Sequence, residues 1–492
     1  MAERILLRSS SDMTLANAGL IAFDHAGVEF SDEAAKRITD GRARFESFMK
    51  TKGGYVYGST TAPGARAKVV LSADESLRQG ETLRNFVSLQ AGTGGDMLAE
   101  RCVRLVVFAR LSNALSGSGK LRLATAQAVA NLLDAVPPVP MQGVACSGEV
   151  MPLTWLVAPL ADLPLRMGEA MALINGSPFA TAMACDVALT AARRLRLAEQ
   201  IFALSIEAAG CPAAHFDRRL ADGWIDPYYK QSLDTLHGLL GDDEREQLKY
   251  QAPTSWRVLP NVLADTLRAV AEVSQSAQIG LQSLKDNPTF IQDAVCGDDD
   301  VVLSSGGYHD HRAAKAIDGV NSALVDLCVL ASRQVSHFLD GGGLGLPPLL
   351  ARVGDGVGAE YLAWGMTEPL ATARRAAQAT TLDVGLQDPA GNQSDISSLG
   401  FVAYGKHREV ARSFDACFAS LAVTAALALD IRAGSKRPAR PGFNQRIGDI
   451  VRSAERRIDV VGEPMRRVRE SIRNCADEMQ TARFAQSVAN GG

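Results

Sequence analysis

Apolar residues recur at three- and four-residue spacing over 97–115, 179–208, 259–284, 314–338 and 410–431. Residues three and four apart share one face of a helix, so this spacing predicts long amphipathic helices gathered into a bundle. A further stretch, 443–484, alternates charges of both signs along its face and reads as a surface or subunit-contact helix. Between these segments lie connectors rich in Gly, Ser and Pro at 53–64, 116–119, 137–148, 304–307, 341–348 and 385–400. The longest apolar run, 416–429, is interrupted by Ser420 and Thr424 and is shorter than the ~20 residues of a membrane-spanning helix. It reads as a buried core helix, and no membrane partner is expected.

Composition agrees with the pattern. Aromatic residues make up only 6% of the 492 residues, while Ala and Leu abound, which favours helix over sheet. With 47% apolar and 22% charged residues the chain can bury a large core, and its length predicts more than one domain. The net charge of -4 supplies no basic face for a phosphate backbone, which argues against nucleic acid as a partner. The basic cluster Lys436-Arg437-Pro438-Ala439-Arg440 is expected to be a solvated loop. Eight cysteines without a CxxC pair, and a start without a basic-then-apolar signal, point to the cytoplasm.

Sites supported by a rigid scaffold concentrate on its loops. Cys146-Ser147-Gly148 lies in such a connector; alone, it would be an ordinary turn. Cys146 as a free nucleophile would need a histidine base, and none of the seven histidines lies in a recognisable partner motif. His309-Asp310-His311 offers two metal ligands without a third and reads instead as a hydrogen-bonding pair, so no metal is expected.

The company of that tripeptide resembles the histidine and phenylalanine ammonia-lyase superfamily, in the family's order and over residues 15–435. Tyr57-Gly-Ser-Thr-Thr-Ala-Pro-Gly64 is similar to the family's Tyr-Gly-x-x-Thr-x-x-Gly motif. Ser116-Gly-Ser-Gly119 precedes the tripeptide, and Leu173-Ile-Asn175-Gly176 resembles Leu-x-Asn-Gly. Gln251-Ala-Pro-Thr254-Ser-Trp-Arg257 resembles Gln-Asp-x-Tyr-Ser-x-Arg; Asp286-Asn-Pro288, Leu346-Pro-Pro348 and Gly391-Asn392-Gln393 follow.

The resemblance implies a mainly α ammonia-lyase (fumarase/aspartase-like) fold, with a smaller N-terminal domain over 1–185 carrying the tyrosine loop and the tripeptide loop and a long helical bundle with C-terminal helices over 186–492, and a homotetramer with active sites assembled from several subunits. It also implies an electrophile, 4-methylidene-imidazol-5-one, made from the chain itself. The Gly148 nitrogen would attack the Cys146 carbonyl and Ser147 would lose its hydroxyl, with no external cofactor. Only a residue with a leaving group on Cβ makes the methylidene, and only glycine folds back this tightly. Tyr57 would be the base, and since an ordinary phenol titrates near 10, nearby donors or positive charge would have to favour its phenolate. Arg257 would fork onto the substrate carboxylate, while Asn175, Gln251, Asn392 and Gln393 would support the ring and the substrate.

Substrate choice in the family follows a residue pair that here is Ser88-Leu89, which matches none of the family's histidine, tyrosine or phenylalanine pairs. Ser394 stands where histidine lyases keep an acid. An aromatic amino acid other than histidine is therefore the expected substrate. Thr254, Glu149 and Thr60 also depart from the family's residues. A 2,3-aminomutase, a ring-free lyase and a non-catalytic scaffold are the alternatives.

Overall fold

The computed structural model describes residues 4–88, 90–241, 251–292, 299–351, 358–383 and 394–433. Among them the long helices are Asp32–Thr51, Pro178–Ala209, Leu259–Gln282, His311–Asp340 and Gly400–Ala433. The last four coincide with stretches of helical apolar spacing. Pro178 opens its helix, where a missing N–H costs nothing, and Gly341, with φ 72, follows the end of another. The predicted helix over 97–115 is interrupted. Gly94–Met97 is a strand, and helices Glu100–Arg110 and Ser112–Leu115 follow it. Met97 pairs with Pro140 across the sheet, and that pairing outweighs the local periodicity. The stretch 443–484 and the cluster 436–440 lie outside the described residues.

Three two-stranded sheets accompany the helices. Arg4–Leu7 runs parallel to Gly27–Phe30; Gly94–Met97 runs antiparallel to Pro140–Gln142; Thr289–Ile291 runs antiparallel to Val301–Leu303. The second sheet feeds directly into the 146–148 loop. The third brings Asn287-Pro288, before one strand, beside Ser304, after the other: the Asn287 side-chain oxygen accepts from the Ser304 hydroxyl at 3.2 Å and the Ser305 N–H at 3.1 Å. Phe290 anchors this hairpin on Phe45 and Phe48, with ring centroids 5.4 and 5.5 Å away.

The chain divides into two compact units. The first is Met1–Leu189, Glu272–Ile317 and Ala379–Gly405; the second is Thr190–Ala271, Asp318–Gln378 and Lys406–Gly492. The expected boundary at 185/186 falls near Leu189, but the first unit also takes back two later segments. The third sheet and the ends of the long helices carry chain into it after residue 271, which a linear division cannot represent. Its core includes Phe45, Phe108 and Phe179; that of the second includes Phe202, Trp256, Phe338, Phe414 and Phe418, all fully buried.

The windows within Glu169–Ala209 and Gly400–Arg432 are long and apolar enough to cross a membrane by length and composition, yet they are 100% and 72% buried. Burial of that kind is what the core helices of a packed protein show.

Candidate active site

The tyrosine loop closes on itself. The Tyr57 hydroxyl accepts the Gly64 N–H at 2.9 Å, so the first and last residues of the eight-residue motif are hydrogen-bonded partners. Thr60 ties the same loop by accepting the Val56 N–H at 2.8 Å and donating to the Gly54 carbonyl at 2.7 Å. Gly58 has φ 66, and a Cβ there would fall 2.0 Å from Met171 Cγ. Its missing side chain lets the tyrosine loop lie directly on the helix Glu169–Ile174, which delivers Asn175.

The tripeptide loop turns sharply. Cys146 is extended, with φ -150, and both Gly148 (φ 65) and Glu149 (φ 51) are left-handed. A β-carbon on Gly148 would stand 3.0 Å from Asn175 Nδ2 and 3.3 Å from the Tyr308 ring, so the left-handed backbone favours glycine and the space for a side chain is tight. The Gly148 carbonyl accepts the Gly176 N–H at 3.0 Å, and the Cys146 carbonyl accepts from Glu149 and Ser398, each at 3.4 Å. The Cys146 thiol accepts the Met151 N–H at 3.3 Å. Asn175 is 6% exposed and its Oδ1 has no partner among the described residues, which leaves a buried acceptor beside the tripeptide.

Glu149, left-handed and buried, is held by its own side chain. Its two carboxylate oxygens accept the N–H groups of Phe179 (2.7 Å) and Ala180 (2.9 Å) in the first turn of the helix Pro178–Ala209. A helix N-terminus suits an anion. Burial nonetheless wins and pushes this carboxyl up to about 8, against those two donors and the Lys285 charge. The folded chain thus holds the proton more tightly than the unfolded chain. The resulting stability is complete below about pH 4.5 and is lost as pH rises through about 8. Thermal unfolding across that window should show a slope of up to about 1.4 kcal/mol per pH unit, and Glu149→Gln should flatten it. A variant with the wild-type slope would assign the titration elsewhere.

Lys285 pairs with Asp310 and donates to Thr181 at 2.6 Å. Lys120 pairs with Asp286 at 2.8 Å with both side chains almost fully buried. His309 Nε2 bonds the Ser397 carbonyl at 3.2 Å, a hydrogen-bonding role for the histidine motif. Among the described residues no cluster of three metal-ligating side chains forms.

Tyr57, Cys146, Ser147, Asn175 and Ser394 line one cavity of about 950 Å³ in the first unit, with Phe86, Met171 and Tyr308 among its other walls. Among its lining residues there is no charged side chain and no histidine. Burial holds the Tyr57 phenol above its ordinary value and Tyr308 adds to the rise, while the Gly64 N–H works in the opposite sense. The donor expected of a phenolate site is present, but the net direction is upward because desolvation of the ring is the larger effect.

Other expected residues lie elsewhere. Ser88, just past the helix Gln79–Val87, is exposed and donates to the Asn85 carbonyl at 2.7 Å; on that helix it is Phe86 that reaches the cavity wall. In the second unit Gln251, Thr254 and Arg257 are exposed, whereas Ala252, Ser255 and Trp256 between them are buried. Leu89, Asn392 and Gln393 lie outside the described residues. Tyr308 and Phe86 were not singled out from the sequence, although Tyr308 directly follows the connector 304–307, the signal that would have found it.

The profile of the aromatic amino acid lyase family matches residues 13–162 and 155–453. A histidine ammonia-lyase of Caldanaerobacter subterraneus subsp. tengcongensis is 24% identical over 461 residues, 87% of this chain and 88% of that one. One from Burkholderia mallei is 28% identical over 448 residues, 84% of each. Solved structures with the same fold include Ergothionase from Treponema denticola, an ergothioneine-degrading enzyme (TM-score 0.82, 17% identity, 96% of this chain and 99% of that one). Histidine ammonia-lyase from Trypanosoma cruzi superposes with TM-score 0.79 at 22% identity, covering 96% and 94%.

Proposed function

The chain belongs to the aromatic amino acid lyase family, whose members are carbon–nitrogen lyases, and from that premise we propose that it eliminates ammonia from an aromatic α-amino acid other than histidine. The product is an α,β-unsaturated acid. The observation that carries this reading is the single cavity walled by Tyr57, Cys146, Ser147 and Asn175.

The residues present fit a ring built from Cys146, Ser147 and Gly148. Gly148 has the left-handed backbone and only tight space for a β-carbon, and Asn175, whose Oδ1 has no partner among the described residues, lies beside it. Once formed, the ring supplies an electrophile that makes the substrate amine a better leaving group. Tyr57 takes the β-proton, and the Gly64 N–H on its oxygen stabilises the phenolate that must exist first. The family resemblance assigns the substrate carboxylate to Arg257, by a charge-assisted fork, and gives Gln251, Thr254, Asn392 and Gln393 supporting roles toward the substrate.

The side chain of the substrate meets Phe86, Val150, Met151 and Met171. An imidazole there would leave its polar atoms unsatisfied, at a cost of about 1–3 kcal/mol each, and Ser394 brings no charge to offset it. The relatives named histidine ammonia-lyase make histidine the competing substrate. The working form is a cytoplasmic homotetramer that takes no external cofactor, metal, nucleic acid or membrane partner.

The intact-protein mass is expected to be two waters below that of the sequence. Ammonia release from L-phenylalanine, L-tyrosine and L-histidine should favour one of the first two. An unmodified mass with turnover retained would replace this mechanism by a ring-free one. Preference for histidine would overturn the substrate, and a β-amino acid product would make the protein an aminomutase.

A further inference from the structure

The helical turn Thr254–Arg257 is four residues long and passes through Val258 into the helix Leu259–Gln282. As the first turn of that run its nucleation entropy is recovered by the turns after it and by tertiary contacts, and the tertiary contacts fix where its side chains stand. Its exposed residues, Gln251, Thr254 and Arg257, alternate with buried ones that hold it in place.

The hold is a chain of buried hydrogen bonds that begins and ends on adjacent residues. Trp256 Nε1–H donates to Ser205 Oγ at 3.0 Å, the Ser205 hydroxyl donates to Gln334 Oε1 at 2.8 Å, and Gln334 Nε2–H donates to the Ser255 carbonyl at 2.8 Å. Trp256, Ser205 and Gln334 are 0% exposed. The Trp256 indole also packs edge-on against Phe338 at 5.6 Å. At the other end of the segment, His215 Nε2 accepts the Ala252 N–H at 3.1 Å. Accepting that bond requires a neutral ring, and burial together with the Arg257 charge holds the His215 pKa below its ordinary value. Three segments thus converge on one turn, and in the fully buried Trp256–Ser205–Gln334 chain each lost bond leaves an unsatisfied partner.

We propose that Ser205, Gln334 and His215 are positioning residues for Arg257 and thereby set the affinity of the enzyme for the carboxylate of its amino acid substrate. This rests on Arg257 being the carboxylate clamp. A planar guanidinium forks onto a carboxylate only when its backbone is fixed, so loosening the turn weakens binding before it affects proton removal.

The test is a double-mutant cycle on the full-length enzyme, with whichever of L-phenylalanine, L-tyrosine and L-histidine gives the highest kcat/KM. Gln334→Met keeps the volume and removes both hydrogen bonds. It is expected to raise KM about tenfold, the equivalent of ~1.4 kcal/mol, with kcat within about twofold of wild type. Arg257→Met should raise KM further, and adding Gln334→Met to it should then change nothing. Ser205→Ala, which deletes one oxygen, gives the same readout if Gln334→Met does not fold. An unchanged KM in the folded variants, or a KM effect of Gln334→Met that persists in full beside Arg257→Met, overturns the positioning role. If Arg257→Met leaves KM unchanged, the clamp itself is wrong and the positioning role falls with it; if no amino acid in the panel is turned over, the proposed activity is overturned and the positioning role with it.

Discussion

Tyr57→Phe is expected to lower kcat by about two to four orders of magnitude, the usual contribution of a positioned general base. The ring precursor, the cavity and the fold should remain. The substitution removes one oxygen, the acceptor of the Gly64 N–H, so a modest loss of stability accompanies it. Because burial holds the Tyr57 phenol above its ordinary value, the phenolate is a minor species at neutral pH. The wild-type kcat/KM should therefore climb about tenfold per unit toward alkaline pH until the phenol titrates. The measurement is a pH profile of both proteins. A Phe variant that keeps the rate, or keeps that slope, would remove Tyr57 from the role of base.

Ser147→Ala is expected to produce an effect of similar size for a different reason. Alanine keeps the Cβ but has no hydroxyl to lose, so the methylidene cannot form. The intact mass of the variant should no longer be two waters short, and turnover should fall by at least about a thousandfold, since the electrophile that activates the substrate amine is missing. Ser147 is half-buried and donates to no described partner that the fold depends on, so the thermal midpoint should barely move. Full activity in Ser147→Ala would favour a ring-free lyase. A large stability loss would instead mark Ser147 as structural.

The helices Pro178–Ala209, Leu259–Gln282, His311–Asp340 and Gly400–Ala433 were legible because each buries a continuous apolar face, and that requirement writes a 3.6-residue period into the chain. The strand Gly94–Met97 was not, since it is defined by a partner more than forty residues away. In the site, Tyr57, Cys146, Ser147 and Asn175 were recognisable from motif order, and they meet at one cavity. Ser88 was expected at the substrate, but the helical phase puts Phe86 on the cavity wall, and the serine hydroxyl is spent on the Asn85 carbonyl.

By itself the sequence determined the helical scaffold, the family resemblance and which residues are candidates for the chemistry, because periodicity, glycine requirements and leaving-group chemistry are local properties. The tertiary structure decided the rest. It set the Glu149 carboxyl on a helix N-terminus, put Tyr308 against Gly148, raised the Tyr57 phenol by burial, and tied Ala252, Ser255 and Trp256 to His215, Gln334 and Ser205. Each depends on desolvation or on a hydrogen bond between residues distant along the chain, and neither quantity is defined until the chain has folded.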